Sequence, residues 1–405
     1  MKPTRRVWMQ LGGWGWAKRL LPFAAASAAP ARTRNVYEEL GIRPILNFRG
    51  THTTIGASKQ WPELHQAMEA ASSQYVALDE LHEKVGARLS QLIGAEAAMV
   101  TTGAAGAIQL GTCACLTGND VAKARRLPDL TGLKTEVIIQ KIHRNGYDHA
   151  VRNTGVRIIE VDTADQLANA VNSNTAMMYF LGGTSGDHAW KTKPVPVDTC
   201  VKILHKAGVP LLVDAANMLP PWKNLQKLAS QGVDLICVSG GKHMRGPQCS
   251  GILAGRKDLI AAAMINSSPH SDSFGRPLKV GREEMVGILL AAEKYSKLDF
   301  DAMDRECLKQ AEYLRDTIGR LPGIKTALTP SDLTRNIRRV SVEWDEKALG
   351  LTAAECEKRL WDGNPRIAVQ RNQPQGVLLT VFMNEAGDEK IAAKRMVEVL
   401  SPKRA

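Results

Sequence analysis

Asp214 and Lys242 are the residues whose placement in this chain most directly suggests chemistry. Asp214 closes the apolar run Leu211-Leu212-Val213, and Lys242 follows Leu235-Ile236-Cys237-Val238 through Ser239-Gly240-Gly241. Short apolar runs that end in a polar residue predict buried parallel strands, which would deliver both side chains to one edge of a sheet. Pyridoxal phosphate needs such a pair. A lysine amine forms a Schiff base with its aldehyde, and a carboxylate keeps its ring nitrogen protonated so that the ring can accept electrons. Taken singly, Asp214 reads as a helix cap and Lys242 as a solvated loop residue; the pair in its strand context carries the expectation.

Other residues group around this pair. Thr102, Gly103 and Ala104, in Thr101-Thr102-Gly103-Ala104-Ala105-Gly106, stand between an apolar strand and an apolar helix. Small residues at a helix start let free N–H groups approach an anion, so this segment is the expected cup for the cofactor phosphate, with Ser239 as a second ligand. His143, just after the run Val137 to Gln140, is expected to lie flat on the cofactor ring. Asn217, three residues after Asp214, would hydrogen-bond the phenolic oxygen. Arg49, His52 and Arg371 are candidates to bind a carboxylate or phosphate of the substrate.

The elements that must position these residues read as an α/β fold. Apolar strands at Ala97–Val100, Val137–Gln140, Val156–Val161, Ala176–Leu181, Leu211–Val213, Leu235–Val238 and Gly251–Ala254 alternate with helical stretches. That pattern predicts a large, mostly parallel sheet with helices on both faces, and ligands on such sheets bind at the carboxyl ends of the strands. Before it, residues 36–56 read as irregular and 61–93 as one helix, with Leu81, Val85, Leu89 and Ile93 forming a stripe. After it come a helix over 281–298, another over 301–321, strands around 338–344, 367–371 and 377–382, and a final helix over 388–400. The expected division is a leader over 1–31, an N-terminal segment over 32–75, a large cofactor-binding domain over 76–280, and a linking helix with a smaller C-terminal α+β domain over 281–405.

The 405 residues are 44% hydrophobic, in the range of globular enzymes. No run of about 18 apolar residues offers a membrane span. Seven cysteines without paired spacing imply no disulfide framework, and Cys113 and Cys115 read as buried thiols. The net charge of +12 is unevenly placed: Lys2, Arg5, Arg6, Lys18 and Arg19 lie in an acid-free leader. The remaining basic clusters, Arg125-Arg126, Lys141 to Arg144 and Arg335 to Arg339, lack interleaved aromatics, which argues against a nucleic-acid surface. Thr4-Arg5-Arg6-Val7-Trp8-Met9, followed by the small-residue run Phe23 to Ala31, predicts a twin-arginine export signal and a periplasmic or exported protein; a basic leader on a cytoplasmic protein is the alternative.

Ser239-Gly240-Gly241-Lys242, Gly246-Pro247-Gln248, Gly251-Ile252, Val280-Gly281-Arg282-Glu283-Glu284 and His52-Thr53-Thr54-Ile55-Gly56 together resemble the L-seryl-tRNA(Sec) selenium transferase family, whose relatives include D-glucosaminate-6-phosphate ammonia-lyase. The resemblance runs from about Asn47 to the C-terminus. It implies the fold type I architecture of aspartate aminotransferase, with Lys242 as the Schiff-base lysine, Asp214 as the pyridinium partner, and at least a homodimer. The tRNA-using members carry an additional N-terminal domain where this chain has its leader, and Phe48 and Arg49 fall where they tend to have small residues. The expectation is therefore a lyase or transferase acting on a small amino acid or amino-sugar acid through α-proton abstraction and β-elimination. The alternatives are the tRNA-dependent enzyme itself and an exported binding protein that kept the fold without the chemistry.

Overall fold

The computed structural model describes residues 35–183, 194–329, 337–372 and 375–401. The expected export signal lies outside them. The described residues fall into two units that divide between Arg43 and Pro44; in the first, a single helical turn, Val36–Glu39, is capped by the Asn35 side chain.

The second unit is built on a seven-stranded sheet. Its strands are β2 (Ala97–Thr102), β3 (Glu136–Gln140), β4 (Arg157–Val161), β5 (Thr175–Leu181), β6 (Leu211–Asp214), β7 (Leu235–Ser239) and β8 (Ser250–Gly255), after a short β1 (Ile45–Asn47) that pairs elsewhere. The spatial order is β2-β8-β7-β6-β5-β3-β4. Strands β3 to β7 pair in parallel, and only β8 runs antiparallel to its neighbours β7 and β2. Alternation along these strands makes two cores. Val213, Ile236, Val238 and Phe180 pack on one face, while Leu212, Leu235, Cys237 and Tyr179 pack on the other. Both layers are apolar, as burial on both sides requires.

The C-terminal region has its own core around Leu314, Val340, Trp344 and Met396. It contains β9 (Ile324–Leu328), β10 (Arg339–Trp344), β11 (Arg366–Ala368), β12 (Gln370–Arg371) and β13 (Val377–Thr380), and it ends in the helix Asp388–Leu400. An antiparallel sheet of order β12-β13-β10-β9 is joined by the pair β1–β11. Strand β1 thereby ties the segment that follows Arg43 to a partner more than 300 residues later.

Three expectations are corrected. The stretch 61–93 is two helices, Pro62–Ser72 and Leu78–Ile93. The first stops because Ser72 and Ser73 turn their hydroxyls back onto the carbonyls of Glu69 and Ala70, and Arg282 donates to the carbonyls of Ala71 and Ser72 at 2.7 and 2.6 Å. The segment 36–56 is not wholly irregular, since it holds the helical turn Val36–Glu39 and β1. The strand expected over 367–371 is split into β11 and β12. No described helix is long and apolar enough to cross a membrane.

Candidate active site

The carboxyl edge of the large sheet collects the residues singled out by sequence. Asp214 ends β6, Ser239 ends β7, Thr102 ends β2, and His143 lies in the turn that follows β3. Beside this edge opens a cavity of about 390 Å³. Asp214, Asn217 and Lys242 line it from the large sheet; Arg49 and His52 line it from the segment after β1; Arg339, Gln370 and Thr380 line it from the C-terminal region.

Asp214 is 4% exposed. The Tyr179 hydroxyl donates to its Oδ2 at 3.0 Å, and the Ala216 N–H donates to its Oδ1 at 3.0 Å. Burial raises its carboxyl above the usual range, opposed by the Ala216 N–H, the charge of Lys242 and the Tyr179 hydroxyl. Each oxygen thus has one fixed donor and a desolvated charge that a cationic ring N–H would complement. Lys242 is presented by a tightly packed loop. A Cβ on Gly241 would come within 2.5 Å of Gln248, the Ser58 hydroxyl holds the Gly241 carbonyl at 2.7 Å, and the Trp61 indole donates to the Met244 carbonyl at 2.9 Å.

The segment expected to cup the phosphate is assembled by strand pairing. Thr101 and Ser239 are both register partners of Gly251, one on each side of β8. A Cβ on Gly251 would lie 2.4 Å from the Gly103 carbonyl carbon, so the glycine is what lets β8 meet the start of the helix Gly103–Thr117. No side chain caps that helix, and among the described residues Thr102 Oγ1 is buried without a hydrogen-bond partner. Free N–H groups, the positive end of a 15-residue helix and an unsatisfied hydroxyl fit a phosphate.

Several expected residues lie off the cavity wall. Arg371 points away: it pairs with Glu357 at 3.1 Å and does not line the cavity, whereas its neighbour Gln370 does. Adjacent residues of a strand face opposite sides, so a one-residue difference decides the matter. His143 is fully buried with its ring edge-on to Phe180 at 4.3 Å, and burial pushes its imidazole down to about 4. Asn145 and Tyr147 of the same turn line the cavity instead. Thr102, Gly103, Ala104 and Ser239 share the sheet edge but are not part of the cavity wall. His52 stands at the rim, where partial burial and the charges of Arg49, Lys242 and Arg339 hold it below the usual histidine range.

Tyr179 and Arg339 are among the site residues that escaped the sequence reading. Tyr179 sits inside an apolar run and looks like core until β5 is placed beside β6. Arg339 belonged to a basic cluster considered as a nucleic-acid surface. The alternation of buried Val340, Val342 and Trp344 was the available signal that it faces away from the C-terminal core.

Residues 151–358 match the aminotransferase class-V family. The D-glucosaminate-6-phosphate ammonia lyase of Salmonella typhimurium is 30% identical over 85% of this chain and 92% of its own. The chain belongs to the aminotransferase class-V family. A 5'-C-glycyluridine monooxygenase-decarboxylase of a Streptomyces species is 31% identical over 82% of this chain and 83% of its own. The solved structure of D-glucosaminate-6-phosphate ammonia-lyase superposes with a TM-score of 0.78 at 29% identity, covering 91% of this chain and 98% of that one. An L-seryl-tRNA(Sec) selenium transferase of Moorella thermoacetica is 26% identical over 56% of this chain and 52% of its own. The fold is that of the type I pyridoxal-phosphate enzymes, the protein is an enzyme of the lyase or transferase kind, and its cofactor is pyridoxal phosphate.

Proposed function

We propose that this enzyme is a lyase that removes the α-proton and then a β-substituent from an amino acid or amino-sugar acid. The observation that carries the reading is the cavity itself, with Asp214 and Lys242 from the sheet edge and arginines from two other segments on its wall. Bound at this edge, pyridoxal phosphate supplies a sink for the electron pair left on the α-carbon. Lys242 would anchor the cofactor, and its Nζ is the group that would take the α-proton. Asp214, oriented by Tyr179 and Ala216, keeps a proton on the ring nitrogen. Thr102, Gly103, Ala104 and Ser239 would hold the phosphate, and Asn217 would hydrogen-bond the phenolic oxygen. Arg49 and His52 face the substrate. The enzyme acts as a homodimer or larger assembly on a small molecule, not on nucleic acid, and is exported by the twin-arginine route.

The purified protein is expected to absorb visible light and, with borohydride, to retain the cofactor covalently; Lys242→Ala should lose that linkage and turnover by about a thousandfold or more. Screening the holoprotein against D- and L-amino acids and 2-amino sugar acids should detect ammonia together with a keto acid. Oxygen uptake with release of CO2 would redirect the reading towards the chemistry named for the Streptomyces relative, and salt-sensitive tRNA binding towards the transferase. For export, changing Arg5 and Arg6 to Lys should leave the unprocessed chain in the cytoplasm; unchanged fractionation would remove that part of the proposal.

A further inference from the structure

Arg49 and Arg339 come from opposite ends of the chain and line the same cavity. Backbone pairing brings them together: the Phe48 carbonyl accepts the Thr380 N–H at 2.7 Å, and Thr380 stands opposite Arg339 in the β10–β13 ladder. Asn47 then fixes the turn. Its side-chain oxygen accepts the N–H groups of Arg49 and Gly50 at 2.9 and 3.1 Å, and its amide donates to the Gly50 carbonyl at 3.0 Å. The Arg49 backbone is set before any ligand arrives.

Neither guanidinium has a carboxylate partner among the described residues, and Arg49 Nε is buried without a hydrogen-bond partner there. The neighbouring arginines differ. Arg338 is held by Asp304 at 2.8 Å and Arg371 by Glu357 at 3.1 Å. A guanidinium stays charged at any working pH, so one kept partly out of water with no counter-ion is costly unless a ligand supplies the anion. Asp214 is the one carboxylate among the described residues lining the cavity, and its oxygens are held by Tyr179 and Ala216. Among the described residues, two arginine charges are therefore left for the substrate to neutralise.

We propose that Arg49 and Arg339 form a two-arginine anion site, and that the substrate is an amine-bearing acid with a second acidic group, phosphate or carboxylate, beyond the one on its α-carbon. This rests on the reading of the enzyme as acting on amino acids or amino-sugar acids. One guanidinium takes the α-carboxylate and the other the distal anion, each in a geometry suited to paired N–H donors. His52, neutral near them, adds a donor or acceptor without a third charge.

The test titrates the visible absorption of the holoenzyme with matched ligands of both configurations, serine against O-phosphoserine for phosphate and alanine against aspartate for carboxylate. In at least one pair the acidic member should bind tenfold tighter or more. Of Arg49→Gln and Arg339→Gln, one should bring that ratio to about one and the other should weaken both members alike, with the spectrum of the free holoenzyme unchanged in each. Equal binding within both pairs, or a ratio that survives both substitutions, overturns the proposal. If no amino acid perturbs the spectrum, the functional reading fails; the anion site is then decided by inorganic phosphate, which should raise the melting temperature of the wild-type holoenzyme and not of Arg49→Gln. No rise in the wild type overturns it.

Discussion

The two edges of the seven-stranded sheet bury carboxylates equally and treat them oppositely. At the amino edge, Asp234 is 2% exposed and accepts from His205 at 2.9 Å, from the Leu211 N–H at 2.8 Å and from Arg256 at 3.2 Å. Glu136, on the same edge, is held by Arg157 and by Asn172 at 2.8 Å, and the Asn172 hydrogen bond leads the effects that keep its carboxyl below the usual range. At the carboxyl edge, Asp214 has a hydroxyl and a single N–H, and burial raises its carboxyl. Acids that the protein neutralises itself are structural. An acid left short of positive charge beside a cavity is waiting for a ligand.

The largest expected effect breaks this comparison in two. Asp214→Asn should keep the fold and the bound cofactor yet slow turnover by about a hundredfold or more, the consequence of losing roughly 3 kcal/mol of preorganised charge. Asp234→Asn should do the reverse. Weakening the hydrogen bonds that a buried carboxylate accepts from half-exposed His205 and Arg256 costs about 1–2 kcal/mol of stability, while turnover per folded molecule stays near that of the wild type. Chemical unfolding and steady-state rates on both variants check this. If Asp214→Asn unfolds the protein as readily as Asp234→Asn and leaves turnover intact, the two edges do not differ in kind.

The contrast also explains what could be read from sequence. Asp214 and Lys242 were legible because each follows a short apolar strand, a pattern that specifies both burial and the sheet edge. The final helix was equally legible: its expected and observed bounds coincide at Asp388–Leu400. Arg339 and Gln370 were not, because their facing depends on register in a sheet assembled from segments far apart in the chain. Tyr179 is invisible for the same reason, since its role exists only once β5 lies beside β6. The break between the helices Pro62–Ser72 and Leu78–Ile93 involves Arg282, about 210 residues away, which no local pattern reveals. The Asp214 and Lys242 end of the cavity sits on local strands and the Arg49 and Arg339 end on long-range pairings, so sequence discloses the first before the second.

A smaller effect sharpens the comparison through pH. His143, in the turn after β3, is fully buried, and burial lowers its imidazole from the ordinary 6.5 to about 4. Its folded-state value lies below its unfolded value. The unfolded chain therefore binds a proton first as the pH falls, and the stability that neutral His143 contributes is complete above pH 6.5 and lost as the pH drops towards 4. Within that window the loss is about 1.4 kcal/mol per pH unit, or about 2 kcal/mol between pH 6.5 and 5. Burial also lowers His82 and His52, which tilt stability the same way, so the informative quantity is a difference between proteins. His143→Gln removes the titrating group, and its stability should fall about 2 kcal/mol less than that of the wild type between pH 7 and 5 in urea unfolding. Changes common to both proteins, including those from carboxylates at either edge, cancel in this difference. Equal pH slopes would mean that His143 is solvated in the native state, and the carboxyl edge would then lose one of its groups held away from ordinary protonation.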